Sequence, residues 1–254
     1  MNIALITGAT SGMGRRMVLE LNDRIPAIQE FWLIGRREDR LLQLERELTH
    51  PVRTFSLDLT DPFSLSSLQT ALENENPRIL FLVNAAGFGK IGAVATLSLQ
   101  DQLTMIDLNV RSLTGMCRIA LPFMAPHSRI INFASSAAFI PQSHFSVYAA
   151  SKSYVLSFSR SLNAELAGTG CYVTAVCPGP VKTEFFDIAE TTGNIPAYKH
   201  LFMAKPERVC KKALIDSVTK QDISVYGLSM KALHVATKLL PYPMLQAIEN
   251  QLNK

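Results

Sequence analysis

Ile3-Ala4-Leu5-Ile6-Thr7-Gly8-Ala9-Thr10-Ser11-Gly12-Met13-Gly14 is the stretch on which the reading of this chain turns. Its first four residues form a short apolar run of the kind that fills a buried parallel strand. Glycines at 8, 12 and 14 follow at once, and then a helical pattern. Strand, glycine turn and helix in that order describe a phosphate cradle. The first glycine allows a tight turn, the second lets the backbone approach a pyrophosphate, and the third lets the helix pack closely on the sheet. The helix N-terminus attracts the negative charge. A glycine-rich turn alone is equally a tight connection, but the flanking strand and helix favour a nucleotide.

The same alternation continues outward. Short apolar runs at 2–6, 31–35, 52–56, 79–83, 129–134, 171–177 and 222–226 are separated by longer helical stretches. Repeated βαβ units predict an α/β fold: a Rossmann-like, doubly wound, mainly parallel seven-stranded sheet with helices on both faces. Ligands on such sheets bind beyond the carboxyl ends of the strands. Thr7, Asp58, Asn84, Ser135 and Pro178 all fall at or just past those ends, which places them on one rim. The 254 residues are expected to form one dinucleotide-binding and catalytic domain. The irregular stretch at about 184–206 is expected to be a substrate lid, with a surface insertion as the plainer alternative. About 228–254 forms a C-terminal extension interrupted by Pro241 and Pro243.

Cofactor choice is read near the end of the second strand. An acidic side chain there would accept hydrogen bonds from a ribose diol and repel a 2′-phosphate. This chain instead has Gly35-Arg36-Arg37 after Phe31-Trp32-Leu33-Ile34, and Arg15 follows the glycine motif. Guanidinium forks suit phosphate oxygens, so NADP(H) is expected over NAD(H). Arg36 is the first choice because it comes first after the strand. The plainer reading of Arg36 and Arg37 is a pair of solvated charges at a helix start, and Arg15 equally well decorates the first helix.

The second half of the chain carries Tyr148-Ala149-Ala150-Ser151-Lys152, with Ser135 upstream. On a helix, positions i and i+4 share a face, so the lysine ammonium lies beside the phenol. A tyrosine ordinarily titrates near pH ~10, and a nearby cation favours its phenolate. The expected result is a phenol able to do acid–base work near neutrality, with a serine hydroxyl holding the substrate oxygen. Tyr-x-x-x-Lys alone is usually an ordinary helix face; the nucleotide motif at the other end of the chain is what raises it.

Together, Thr7-Gly8-x-x-x-Gly12-x-Gly14, Asp58, Asn84-Ala85-Ala86-Gly87, Asn109, Ser135, Tyr148, Lys152 and Pro178-Gly179 resemble the short-chain dehydrogenase/reductase superfamily in its short single-domain form, from Asn2 to about Phe185. The resemblance implies that a bound nicotinamide exchanges hydride with a carbonyl carbon. Tyr148 would protonate the carbonyl oxygen and Ser135 would hydrogen-bond it, with Ser136 as the alternative serine. Lys152 would shift the tyrosine and hold ribose hydroxyls, and Asn109 would position a water that joins Lys152 to solvent. The cofactor would lie on Gly8, Thr10, Ser11, Gly12, Met13 and Gly14. Asp58 and Leu59 would meet the adenine, and Asn84, Ala85 and Gly87 would line the adenosine side through strand-end backbone. Pro178, Gly179, Val181 and Thr183 would line the nicotinamide side, with Thr183 on the carboxamide. The plainer alternatives are a turn or cap for Asp58 and Thr183, and a polar break in a long helix for Asn109. The family's commoner Asn-Asn-Ala-Gly reads Asn-Ala-Ala-Gly here, so Ala85 forgoes a brace within the sheet.

Bulk properties narrow the function further. The net charge of +4 is small and scattered, which argues against nucleic-acid binding. Cys117, Cys171, Cys177 and Cys210 lack Cys-x-x-Cys spacing, so no metal is expected. No apolar run reaches the ~18 residues of a spanning helix, and a cytoplasmic protein is expected. Apolar helices near 100–120 and 146–168 suggest a homodimer or homotetramer, with burial against the sheet as the alternative. An NADPH-dependent carbonyl reductase or alcohol dehydrogenase is the leading reading. Phe139, Phe185, Phe186 and Ile188 favour an apolar ketone or aldehyde, and Phe88 and Phe145 are further wall candidates. A catalytically silent NADP(H)-binding regulator or scaffold is the alternative. The chain's length and glycine spacing argue against a nucleotide-sugar epimerase.

Overall fold

The computed structural model describes residues 1–193, 203–241 and 243–245. Its strands are β1 (Asn2–Thr7), β2 (Glu30–Gly35), β3 (Val52–Ser56), β4 (Arg78–Asn84), β5 (Met124–Phe133), β6 (Tyr172–Val176) and β7 (Ile223–Ser224). They form one seven-stranded sheet in the order β3-β2-β1-β4-β5-β6-β7, and every neighbouring pair is parallel. The described helices are α1 (Gly12–Arg24), α2 (Glu38–Glu47), α3 (Pro62–Glu75), α4 (Leu99–Ile106), α5 (Leu113–Ala120), α6 (Ser146–Glu165), α7 (Glu184–Ala189), α8 (Pro206–Val218) and α9 (Leu228–Leu239). The strand order reverses between β1 and β4, and a crevice opens at such a switch point.

Successive strand residues face opposite sides, and both sides are covered here. Ile3 and Leu5 of β1 join a core with Leu68 and Leu72 of α3 and Val155 and Leu162 of α6. Ala4 and Ile6 join a second core with Met17 and Leu21 of α1, Leu41 of α2 and Leu214 of α8. A strand buried on both faces must be continuously apolar, which is why Ile3 to Ile6 shows no polar alternation.

The turn after β1 is fixed by close backbone approach. Gly8 has φ +67°, and a Cβ there would lie 2.7 Å from the Ala86 nitrogen. A Cβ on Gly14 would collide with the Gly8 carbonyl. Thr7 reinforces the junction: its Oγ1 accepts from the amides of Ala85 and Ala86, both at 3.2 Å. The phosphate turn and the exit of β4 are thereby locked side by side.

Some boundaries differ from the sequence expectation. β5 begins at Met124 rather than 129, and β7 is only two residues long because it pairs with β6 alone. Cys171 and Cys177 flank β6, buried in the same core. Between α4 and α5, Asp107–Ser112 forms a π-turn, so Asn109 sits on an irregularity, not in a regular helix. The expected lid begins with a real helix, α7, while 194–202 lies outside the described residues. The C-terminal extension is helical over α9, and its residues 242 and 246–254 lie outside the described residues. α9 leans on the body: Met230 packs on Gly179 and the His234 ring stacks on Phe139 at 4.6 Å.

Candidate active site

A cleft of about 500 Å³ runs along the carboxyl ends of β1, β2, β4, β5 and β6. At its deep end are Ser135, just past β5, and Tyr148 and Lys152 on one face of α6. Ser135 lies beside the Tyr148 phenol, where its hydroxyl favours the ionised form. Lys152 Nζ donates to the Phe133 carbonyl at 2.8 Å and lies 5.7 Å from the Tyr148 ring centroid. Phe145 stacks on Tyr148 at 4.3 Å, and Phe185 of α7 covers it at 5.3 Å.

This burial decides the protonation states. Desolvation pushes Tyr148 up to about 12, with the Ser135 hydrogen bond pulling the other way. Desolvation pushes Lys152 down to about 8. Loss of hydration dominates the Tyr148 shift, and the Lys152 charge is not among its causes. A phenol that keeps its proton is the form able to donate one to a carbonyl oxygen.

Asn109 is 1% exposed and holds this end together. Its amide donates to the Phe88 carbonyl at 2.9 Å and to Ser151 Oγ at 3.0 Å, and its Oδ1 accepts from the Phe88 amide at 3.1 Å. The side chain thus clamps the loop after β4 to α6. Ser135 Oγ faces Tyr148 and accepts from the Ala137 amide at 3.1 Å, whereas Ser136 is tied by its amide to the Pro178 carbonyl at 2.8 Å.

The other end suits a dinucleotide. Ser11 precedes α1 with no side-chain cap, so the first amides of the helix stay open to the cleft. Thr10, Ser11, Gly12 and Met13 line the cleft there, with Gly8 beneath. Gly14 does not line it; its role is the close packing of α1. Arg36, Arg37, Asp58, Leu59, Ala85 and Gly87 line the adenosine end, and Pro178, Gly179, Val181 and Thr183 line the opposite wall. Thr183 caps α7 by position only, with no side-chain cap bond. Burial works against the charge of Asp58, but the Thr60 amide and hydroxyl and Arg36 hold its carboxyl below the usual range.

The structure places the side chains of Asn84, Phe139 and Arg15 away from the cleft. Asn84 is turned into the sheet, where it donates to Asn132 Oδ1 at 2.9 Å and Cys117 Sγ at 3.3 Å. It supplies the brace that Ala85 lacks, and it does not line the cleft. Phe139 packs on His234 and is absent from the substrate wall, whereas Phe88, Phe145, Phe185, Phe186 and Ile188 are present. Arg15 pairs with Glu47 at 2.5 Å, away from the cleft. The Arg36 side chain is 68% exposed and, among the described residues, pairs with Asp58 at 3.7 Å.

Sequence reasoning missed Glu184. It lines the cleft and accepts from Arg37 at 2.9 Å and Arg40 at 2.5 Å, and these bonds hold its carboxyl below the usual range. The one available signal was its position directly after Thr183. His144, in the left-handed region at φ 57°, also lines the cleft.

Fold and site together define a dinucleotide-dependent oxidoreductase, and the comparisons with known proteins agree. The family model for short chain dehydrogenases matches residues 2–192, and the chain belongs to that family. It is 37% identical to sulfoacetaldehyde reductase 2 of Chromohalobacter salexigens over 207 residues, 79% of this chain and 81% of that protein. A short-chain dehydrogenase from Sphingobium yanoikuyae in complex with NADPH superposes with a TM-score of 0.78 at 27% identity, covering 99% of this chain and 95% of that one. A short-chain dehydrogenase/reductase from Burkholderia phymatum in complex with NAD has the same fold, with a TM-score of 0.79 at 22% identity and 94% of each chain covered.

Proposed function

We propose that this oxidoreductase is an NADPH-dependent carbonyl reductase acting on an uncharged, largely apolar ketone or aldehyde. The observation that carries the reading is the convergence of Ser135, Tyr148 and Lys152 at the end of a cleft whose far end carries Arg36. A bound NADPH supplies the hydride. Tyr148 gives its proton to the carbonyl oxygen as charge grows there, and Ser135 steadies that oxygen by a hydrogen bond. Lys152 keeps a positive charge beneath the site and is in reach of ribose hydroxyls. Phe145 and Phe185 keep water from the phenol. Arg36 holds the 2′-phosphate, being the freer of the two arginines.

Substrate class is read from the wall. Phe88, Ile91, Phe145, Phe185, Phe186 and Ile188 surround the catalytic end. Among the described residues, the lysines and arginines that line the cleft are Arg36, Arg37 and Lys152. The first two lie at the adenosine end, and Lys152 is held by Phe133. Among the described residues lining the cleft, His144 is the one further side chain able to carry positive charge toward a sulfonate or carboxylate. One cytoplasmic, homo-oligomeric domain completes the proposal; Leu99, Leu103 and Tyr154 are exposed apolar side chains that a second subunit would cover, and size measurement in solution tests this. Among the described residues no helix is long and apolar enough to cross a membrane.

NADPH oxidation measured over neutral ketones, aldehydes, ketoacyl thioesters and sulfoacetaldehyde tests the function. The expected result is turnover on neutral apolar carbonyls, a loss of roughly a thousandfold in Tyr148→Phe, and poor use of the sulfonate. Binding of NADPH without turnover on any carbonyl would overturn the reductase reading.

A further inference from the structure

Glu184 and Phe185 are neighbours in the first turn of α7, yet their side chains reach opposite walls of the cleft. Phe185 covers the catalytic Tyr148 at 5.3 Å. Glu184 crosses to α2 and its approach, where its two carboxylate oxygens take Arg37 at 2.9 Å and Arg40 at 2.5 Å. Arg37 in turn donates to Thr10 Oγ1 of the phosphate turn at 3.4 Å. One carboxylate therefore ties the helix over the nicotinamide end to the turn that cradles the pyrophosphate.

We propose that Glu184 is a positioning residue: with Arg37 and Arg40 it anchors α7 across the cleft, so that this cluster sets how fast the dinucleotide leaves and holds Phe185 on Tyr148. Arg37 belongs to the anchor, and discrimination of the 2′-phosphate falls to Arg36. The inference rests on the cleft taking a nicotinamide dinucleotide. Two features separate an anchor from a phosphate ligand. Arg40 does not line the cleft, so it has no direct contact to lose with a nucleotide. The Glu184 and Arg40 side chains are 42% and 38% exposed, so the cluster is open to screening by salt.

The test is the release rate of NADPH and of NADH from the whole protein, followed by nucleotide fluorescence after displacement, at about 0.05 M and about 0.5 M salt. In Glu184→Gln both nucleotides should leave about tenfold faster. Arg40→Met should act in the same direction with a smaller effect. The wild-type release should accelerate with salt, and both variants should lose most of that acceleration. The NADPH-to-NADH affinity ratio should stay unchanged in both and fall in Arg36→Ala. Unchanged release in Glu184→Gln, or an unaffected Arg40→Met, would overturn the anchor. A change confined to NADPH would also overturn it, since Glu184 would then act directly on the 2′-phosphate. If the wild-type protein binds neither nucleotide, the dinucleotide reading fails and takes the anchor with it. If both bind, only the anchor is at stake.

Discussion

The two ends of the cleft are built on opposite principles. At the catalytic end Tyr148, Lys152 and Asn109 are 7%, 6% and 1% exposed, and each is held by a side chain or carbonyl from another element. At the adenosine end Arg36, Arg37, Arg40 and Glu184 form ion pairs in side chains between 38% and 68% exposed. Buried polar groups must be satisfied or they cost ~1–3 kcal/mol each, so the catalytic end tolerates little rearrangement. Exposed ion pairs contribute ~0–1 kcal/mol, so the cofactor end can change partners cheaply. On the proposed function, reaction chemistry thus rests on burial, and cofactor selection and retention on adjustable surface charge.

Predictions bear on that contrast in descending order of size. Lys152→Met removes a buried charge beside the phenol, and the turnover rate should drop by about a thousandfold with NADPH still bound; a drop of tenfold or less would mean the buried end is less constrained than its geometry implies. The pH profile should show the same group. Lys152 is charged below about 8 and loses its proton above it, so reduction should fall by about tenfold per pH unit on the alkaline side. That fall is not unfolding. The unfolded lysine keeps its proton up to 10.5, so between about 8 and 10 the unfolded state binds more protons and this group makes the fold more stable as pH rises. A melting temperature that collapsed together with activity just above pH 8 would contradict this.

At the exposed end, Arg36→Ala should reduce the preference for NADPH over NADH by about tenfold, a loss that shrinks in high salt. Preference unchanged by the substitution would return the 2′-phosphate to Arg37. A further effect, read in stability, is that of Asn109→Ala. It strands the Phe88 peptide and Ser151, at a cost of about 2 kcal/mol, or roughly 5 °C in melting temperature for a chain of this size. Thermal unfolding of Asn109→Ala beside Arg40→Met, which should barely shift, measures the contrast between the two ends directly.

Much of this was legible before any coordinates. The strands at 31–35 and 79–83 agree with β2 and β4 to within a residue at either end, because a parallel strand buried on both faces leaves an unbroken apolar run; 52–56 coincides with β3, a half-buried edge strand. Ser135 was chosen over Ser136, and it is Ser135 that meets Tyr148. What failed had long-range causes. Phe139 follows Ser135 in sequence yet does not line the cleft, because α9, from the far end of the chain, brings His234 over it. Asn84 is expected on the adenosine side through its backbone, but it does not line the cleft, and its side chain turns to Asn132 and Cys117 in the sheet.

The sequence by itself determined the main elements and the parallel, doubly wound class of the sheet, and it singled out Tyr148 as the candidate proton donor, since periodicity, glycine turns and an i, i+4 pair are local properties of the chain. Only the tertiary structure decided the protonation of that donor and the partners of its charges. Burial of Tyr148 depends on Phe145 and on Phe185, thirty-seven positions further on (185 − 148 = 37). The Glu184 cluster joins residues 147 and 144 positions apart. Desolvation and pairing are sums over neighbours in space, and no local pattern in the sequence carries them.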